Sequence, residues 1–366
     1  MNSLLIYGSY GYTGRLVARE AVSRGGTPIV AGRDGRQVSQ QAAELGLEGR
    51  SFDLESPALA SHLEDVDALL NCAGPFIETA EPLFEACLEA ETDYLDITGE
   101  FPVFERFRRR DDVAREAGIT ALPGVGFEVV PSDCLAAFLH GQLPEADELA
   151  LGITGSPTFS RGTAHTLLEL LGTGVVRRNG RLVEVPTTFR TRQIDFGDGA
   201  EPAVTAPWAD VVTAAHTTGI ETIEVYVAVP PVAKPLLPLA DVSAWLVDRT
   251  PVRRLLEQGI DALVDGPDEH QLATETAVVW GEARDSETGR SARARLRTPN
   301  PYALTVDAVL AAAERVLDAA HHVPAGFQTP ASAFGADFAL GLEGVERELV
   351  STPGTSHRIE VSAADD

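Results

Sequence analysis

The chain has 366 residues and carries 55 acidic against 29 basic side chains, a formal net charge of −26. That excess repels nucleic-acid phosphates and anionic membrane surfaces, so neither is an expected partner. Cys72, Cys87 and Cys134 show no paired spacing, which argues against a disulfide framework or a zinc cluster and fits a reducing cytoplasm. Met1 leads almost directly into an apolar run, which leaves no room for a signal peptide. No uncharged run reaches the length that spans a bilayer.

Leu4-Leu5-Ile6-Tyr7 reads as a buried strand, and Arg15 to Arg24 as a helix. Between them lies Gly8-Ser9-Tyr10-Gly11-Tyr12-Thr13-Gly14. Strand, glycine loop and helix form the context of a dinucleotide-binding fingerprint. Gly8 allows the tight turn, Gly11 lets a pyrophosphate approach the backbone, and Gly14 lets helix and strand pack closely. The helix N-terminus offers free N–H groups to the phosphates.

A second strand, Thr27 to Ala31, ends in Gly32-Arg33. An NAD enzyme places an acid there for the ribose hydroxyls. Arg33, followed by Asp34, suits the 2′-phosphate of NADP through forked, charge-assisted bonds. The plainer reading is a surface arginine at a strand end.

Ser51-Phe52-Asp53 reads as the third strand, and Ser56-Pro57 as the start of a helix. Ala68 to Cys72 is the fourth strand, with a helix from about Glu81 to Glu89. Asp93 to Thr98 is the fifth strand, and Pro102 to Ala117 a charged helix stopped by Gly118. Ile119 to Leu122 is the sixth strand. This alternation predicts an α/β fold, a Rossmann-type doubly wound parallel sheet. Ligands then sit at the C-terminal ends of the strands.

The pattern changes after Pro131. Asp147 to Thr154, Arg181 to Val185, Thr188 to Ile194 and Ile220 to Val229 read as strands. Gln271 to Ala283 and Arg290 to Arg297 read as a hairpin around Ser286 to Gly289. Helices fit Thr163 to Val176, Ala233 to Val247, Val252 to Val264 and Ala303 to Ala320. The expected organisation is a Rossmann domain over 1–132 and an inserted α+β domain over 133–300, on a mainly antiparallel sheet. The amphipathic helix, Ala303 to Ala320, opens a C-terminal helical segment, 301–350, and an acidic tail, 351–366, is expected to be mobile.

Several blocks resemble the saccharopine dehydrogenase-like oxidoreductases. They are the glycine loop with Arg15, Ala31-Gly32-Arg33, Gly74-Pro75-Phe76 and Glu81 to Cys87. More specific are Thr92 to Glu100 and Gly124 to Asp133, with Pro301 to Thr305 and Thr329-Pro330-Ala331 near the end. The branch most similar contains the trans-acting enoyl reductases of lipid biosynthesis. The resemblance implies an NADP-binding Rossmann domain, an inserted α+β domain, a C-terminal segment over 301–350 that folds back on the first domain, and hydride transfer. Amino-acid-forming members of the wider group use a lysine–histidine pair near the nicotinamide. Here the single lysine is Lys234, so that pair does not carry over. Nor does the Tyr-x-x-x-Lys of short-chain dehydrogenases, because Pro230 stands four residues before Lys234.

The expected cofactor site comprises Gly8, Ser9, Tyr10, Gly11, Tyr12, Thr13, Gly14, Arg33, Asp53, Asn71, Cys72, Ala73, Gly74 and Pro75. The loop Asn71 to Pro75 either admits the nicotinamide to the backbone or is a tight βα turn. Glu100 and His165 are the candidate catalytic groups. Glu100 either holds substrate and positions a proton, or is an acid at a helix start before Pro102. Asp96 is read as a structural acid, and Ser132 and Asp133 as helix caps. No metal-ligand cluster or Gly-x-Ser-x-Gly motif is present.

The expected function is NADP(H)-dependent hydride transfer to a C=C or C=N bond of a small or lipid-like substrate. Alternatives are a non-catalytic NADP-binding redox sensor and a secondary-amine-forming amino-acid dehydrogenase. The last would need a carboxylate clamp from Arg161, Arg190 or Arg192. Val225 to Val247 is either core, a homodimer interface or an apolar substrate wall.

An acidic, lysine-poor surface is that of a halophilic, cytoplasmic protein. The Debye length falls from about 30 Å at 0.01 M salt to about 3 Å at 1 M, so self-repulsion fades with salt. The melting temperature should therefore rise steeply with KCl. A melting temperature flat from low to molar salt contradicts the salt-adapted reading.

Overall fold

The computed structural model describes residues 3–155, 160, 174–186, 189–229, 258–259 and 266–352. The first sheet is parallel and built from β1 (Leu4–Tyr7), β2 (Ile29–Gly32), β3 (Gly49–Ser51), β4 (Ala68–Asn71), β5 (Asp93–Asp96) and β6 (Thr120–Leu122). Their order is β3-β2-β1-β4-β5-β6, and a late strand, Gly326–Phe327, extends the sheet beside β6. This is the doubly wound order of dinucleotide-binding folds. Leu5, Ile6, Leu69, Leu70, Tyr94 and Leu95 are fully buried because helices cover both faces. Each contributes roughly 1.5–3 kcal/mol by leaving water.

The helices between these strands are α1 (Tyr12–Ser23), α2 (Gly35–Leu45), α3 (Phe76–Ala90), α4 (Phe101–Arg108), α5 (Asp111–Ala117) and α6 (Val130–Gln142). Several differ from the sequence reading for reasons that lie far along the chain. α3 begins five residues early because both oxygens of Glu100 accept the N–H groups of Phe76 and Ile77, at 3.0 and 2.7 Å. The helix read over Pro102 to Ala117 breaks at Arg109-Arg110. There Asp111 starts a new turn and accepts the Phe327 N–H at 2.8 Å. No α-helix follows Ser56-Pro57; a 3-10 turn, Ala60–His62, is tied down by the Arg50 guanidinium on the His62 carbonyl.

The second sheet is mixed and mainly antiparallel. Its order is Thr191–Asp195, Ala200–Thr205, Thr222–Ala228, Glu148–Thr154, Thr276–Arg284, Ser291–Pro299 and Glu346–Ser351. Thr222–Ala228 and Glu148–Thr154 pair in parallel, and the other pairings are antiparallel. The expected hairpin around Ser286 to Gly289 is present, whereas its first residues form the short helix Glu269–Thr274. Gly174–Arg178 is a strand, not the end of a helix. Asn179 and Gly180, both at positive φ, turn it back into Arg181–Val185, and Asn-Gly is a strong hairpin signal. The remainder of the helix read over Thr163 to Val176, the helix read over Ala233 to Val247, that over Val252 to Val264 apart from residues 258–259, and the tail past 352 lie outside the described residues.

α6 and the helix Asp210–Thr218 cover one face of this sheet. α6 lies so close that a Cβ on Gly281 would stand 2.5 Å from a Leu139 methyl. The long helix Pro301–Leu317, capped by Asn300, packs on α1. The chain after residue 300 thus serves both sheets, Gly326–Phe327 the first and Glu346–Ser351 the second. Among the described residues no helix is long and apolar enough to cross a membrane.

Candidate functional site

The C-terminal ends of β1, β2 and β4 meet at the glycine loop. Gly8 has φ +75°, and a Cβ there would stand 2.7 Å from the Ala73 nitrogen. A Cβ on Gly14 would stand 2.4 Å from the Gly8 carbonyl oxygen. The Gly8 and Ser9 N–H groups bond the Ala31 carbonyl, which ties the loop to β2. Arg15 N–H to the Gly11 carbonyl, at 3.0 Å, is the first bond of the helical ladder. The N–H groups of Tyr12, Thr13 and Gly14 precede it and have no carbonyl of their own helix to bond. This backbone cradle fits a pyrophosphate.

The side chains of the loop are anchored rather than free. Ser9 is fully buried and exchanges bonds with Gln41: its hydroxyl donates to Oε1, and its carbonyl accepts from Nε2. The Tyr10 ring covers Gly32, and its hydroxyl accepts the Asp34 N–H. The Tyr12 hydroxyl donates to the Pro267 carbonyl at 2.6 Å, and its ring meets Tyr302 edge-on. The loop therefore holds the chain where it re-enters from the inserted segment.

Arg33 is exposed at the end of β2, and its guanidinium makes no ion pair among the described residues. Tyr10, Asp53 and Arg33 all bear on the Tyr7 hydroxyl, whose pKa is pushed up to about 12, chiefly by burial. The three side chains thus surround one spot at the ends of β1, β2 and β3. Asp34 caps α2 by accepting the Arg36 and Gln37 N–H groups, so its carboxylate is engaged there. Arg15 and Arg19 on α1 line a shallow cavity with Tyr10 and Gln37, and neither makes an ion pair among the described residues. Among the described residues most other arginines pair with acids, as Arg24, Arg50, Arg106 and Arg110 do. An exposed guanidinium at the end of β2 fits the extra phosphate of NADP.

Beyond Ala73 the edge turns apolar and small. Asn71 shapes this loop: its Oδ1 accepts the Ala73 N–H at 2.9 Å, and its Nδ2 donates to Thr79. Cys72 is a free thiol with its pKa raised by burial, so it is not an activated nucleophile. Gly74 and Pro75 join through a cis peptide just before α3. Glu100 is the acid that fastens α3 here, so the structure gives it a helix-capping position. Asp96, fully buried, accepts the Thr98 and Gly124 N–H groups and the Tyr94 hydroxyl, binding β5 to the loop after β6. Ser132 and Asp133 lie inside α6 and do not cap it. Ser132 donates to the Val129 carbonyl, and Asp133 accepts the Ala331 N–H of the helix Pro330–Phe334. His165 lies outside the described residues.

Sequence reasoning missed Glu128. It lies in the loop after β6, with its Oε2 3.1 Å from where a Gly99 Cβ would stand. Its carboxyl has no hydrogen bond or ion pair among the described residues, and burial pushes its pKa up to about 7. The Trp208 indole donates to its backbone carbonyl at 2.8 Å, so the second domain steadies it. The signal was a lone acid in the apolar run Val125 to Val130, directly after a strand.

Fold and loop together define a Rossmann-type dinucleotide-binding protein with a second, mixed-sheet domain. Residues 4–122 match the model of the saccharopine dehydrogenase NADP binding domain, so the cofactor is NADP. A Mycobacterium tuberculosis protein named as a trans-acting enoyl reductase is 30% identical over 190 residues, 46% of this chain and 44% of that protein. A saccharopine dehydrogenase-like oxidoreductase of Bos taurus is 31% identical over 151 residues, 36% of this chain and 35% of its own. The chain thus spans less than half the length of either relative. A solved apo saccharopine dehydrogenase (L-Glu forming) from Saccharomyces cerevisiae shares the fold, with a TM-score of 0.63, 14% identity and 96% of this chain covered, 100% of its own. Residues 4–122 thus match a saccharopine dehydrogenase-type NADP binding domain, and the chain is similar over part of its length to saccharopine dehydrogenase-like oxidoreductases.

Arg33→Ala should weaken NADPH binding by about 1.5–3 kcal/mol, the worth of a charged hydrogen bond, and leave NADH binding almost unchanged. Calorimetric titration with both cofactors checks this. Equal losses for the two would make Arg33 a bystander.

Proposed function

We propose that the protein is an NADPH-dependent reductase that delivers hydride to a C=C or C=N bond, with Glu128 as the proton donor. The observation that carries this is the Glu128 carboxyl: unpartnered, recessed beside Gly99, and with a pKa pushed up to about 7. A general acid works best when its pKa lies near the working pH. NADPH, when bound, supplies the hydride; the chain's own residues orient it and hold the proton. The glycine loop fixes the pyrophosphate, Arg33 the 2′-phosphate, and the small residues Ala73, Gly74 and Gly99 leave room along the edge that leads to Glu128.

The substrate is lipid-like or otherwise apolar in this reading, as the relatives' names suggest for a reductase of enoyl groups. The amino-acid dehydrogenase alternative is less favoured. Arg190 pairs with Glu224, and Arg192 pairs with Glu282 and lies over Trp280, so neither is free to clamp a carboxylate, while Arg161 lies outside the described residues. A redox sensor without turnover gives no use to a carboxyl held half-protonated near neutral pH.

With Glu128 as acid, the rate of NADPH oxidation should fall above pH about 7 as that carboxyl ionises. Glu128→Gln should cost 10²–10⁴-fold, roughly the worth of a positioned acid, and remove that limb of the pH profile. A panel of enones and imines followed by NADPH absorbance measures both. Full activity in Glu128→Gln would assign the proton to another group.

A further inference from the structure

Two hydrogen bonds from far along the chain close on Glu128 and the residue before it. The Phe127 N–H donates to the Thr305 hydroxyl at 3.0 Å, across 178 residues. The Trp208 indole donates to the Glu128 carbonyl at 2.8 Å, across 80 residues. Thr305 belongs to the helix Pro301–Leu317. Trp208 belongs to the second domain, between the strand Ala200–Thr205 and the helix Asp210–Thr218.

Both partners are themselves fixed. Thr305 is buried and sends its own proton to the Pro301 carbonyl at 2.8 Å, which leaves a lone pair for Phe127. Gly126 lets this helix come close, because a Cβ there would stand 3.0 Å from the Thr305 methyl. Trp208 is tied to the second sheet through Ala206. Its N–H bonds the Ala206 carbonyl at 3.0 Å, and the Ala206 N–H bonds the Val225 carbonyl at 2.9 Å. Upstream the loop hangs on Asp96, whose carboxyl accepts the Gly124 N–H and whose carbonyl accepts the Val125 N–H, both at 2.8 Å.

The bonds from Thr305 and Trp208 fall on the rigid peptide units at either end of Phe127-Glu128. With both units pinned, the Cα of Glu128 has little freedom, and the carboxyl stays recessed beside Gly99. We propose that Thr305 and Trp208 are positioning residues of the reductase, a two-sided clamp on Phe127-Glu128 that aims the Glu128 carboxyl. The inference rests on Glu128 being the proton donor. Neither residue handles the proton. The C-terminal helix and the second domain each supply one side of the clamp, so the acid is in place only when both are docked on the first domain. A loop released on either side lets the carboxyl reach water, where its charged form is favoured.

The test is carboxyl carbon NMR of the NADPH-bound protein across pH, with labelled glutamate. The Glu128 signal is the one lost in Glu128→Gln. Two variants each cut one bond: Thr305→Val keeps the shape of its side chain, and Trp208→Phe keeps an aromatic ring. In each the Glu128 midpoint should fall from about 7 by about one unit or more, toward the ordinary glutamate range. Thr305→Ser, which keeps the hydroxyl, should show the wild-type midpoint. On the enone and imine panel each cut should lower kcat by up to about 10²-fold, the cost of a misplaced group, with KM for NADPH unmoved. The same cut should cost nothing further in a Glu128→Gln background, because it acts through that carboxyl. A Glu128 midpoint unmoved in either folded variant overturns the clamp, and an equal loss of kcat in the Glu128→Gln background overturns the positioning role. Should one variant not fold, the other decides alone. The titration needs no substrate. A midpoint that falls in both variants of a protein whose Glu128→Gln form keeps full NADPH oxidation retains the clamp on Glu128 and sinks only the donor role.

Discussion

The structure depends on how closely the backbone can approach itself at the glycine loop. Gly8 lies against Ala73, and Gly14 lies against the Gly8 carbonyl, at separations that no Cβ tolerates. Those two contacts draw the ends of β1 and β4 together and set the first turn of α1 directly above the sheet. Free N–H groups follow from that geometry, and they form a cradle that fits a phosphate. The same loop uses Tyr12 to hold Pro267 and Tyr302, so the cradle and the return of the chain from the second domain are fixed by one segment.

Much of the first domain was legible because its signals are local. A buried run, a glycine spacing and a helix period need no knowledge of distant residues, and β1, β4 and the helix Pro301–Leu317 follow from them. The misplaced boundaries have long-range causes. The start of α3 depends on Glu100, 24 residues away, and the break before α5 on Phe327, 216 residues away. The strand Gly174–Arg178 is a different failure, because Asn179-Gly180 signalled a hairpin locally and was outweighed by an apolar helical pattern.

The site was legible in part. Glycines and a strand-end arginine announce a dinucleotide from spacing alone. Glu100 has the right residue type and place for a catalytic acid, yet its oxygens are both committed to the N–H groups of α3. Glu128 is its complement: only its place as a lone acid in an apolar run marks it, and its raised pKa comes from desolvation. An acid becomes a proton donor through what surrounds it, and a linear sequence does not show those surroundings.

In the proposed reductase the cofactor runs from Arg33 across the glycine loop to an edge that ends at Glu128. A crystal structure of the NADPH complex would show this path. The 2′-phosphate is expected on Arg33, the pyrophosphate on the N–H groups of Tyr12 to Gly14, and the nicotinamide beside Ala73 and Gly99. Glu128 should then face its reactive carbon across a gap one substrate wide. A nicotinamide turned away from Glu128, or a pyrophosphate off the glycine loop, would contradict it.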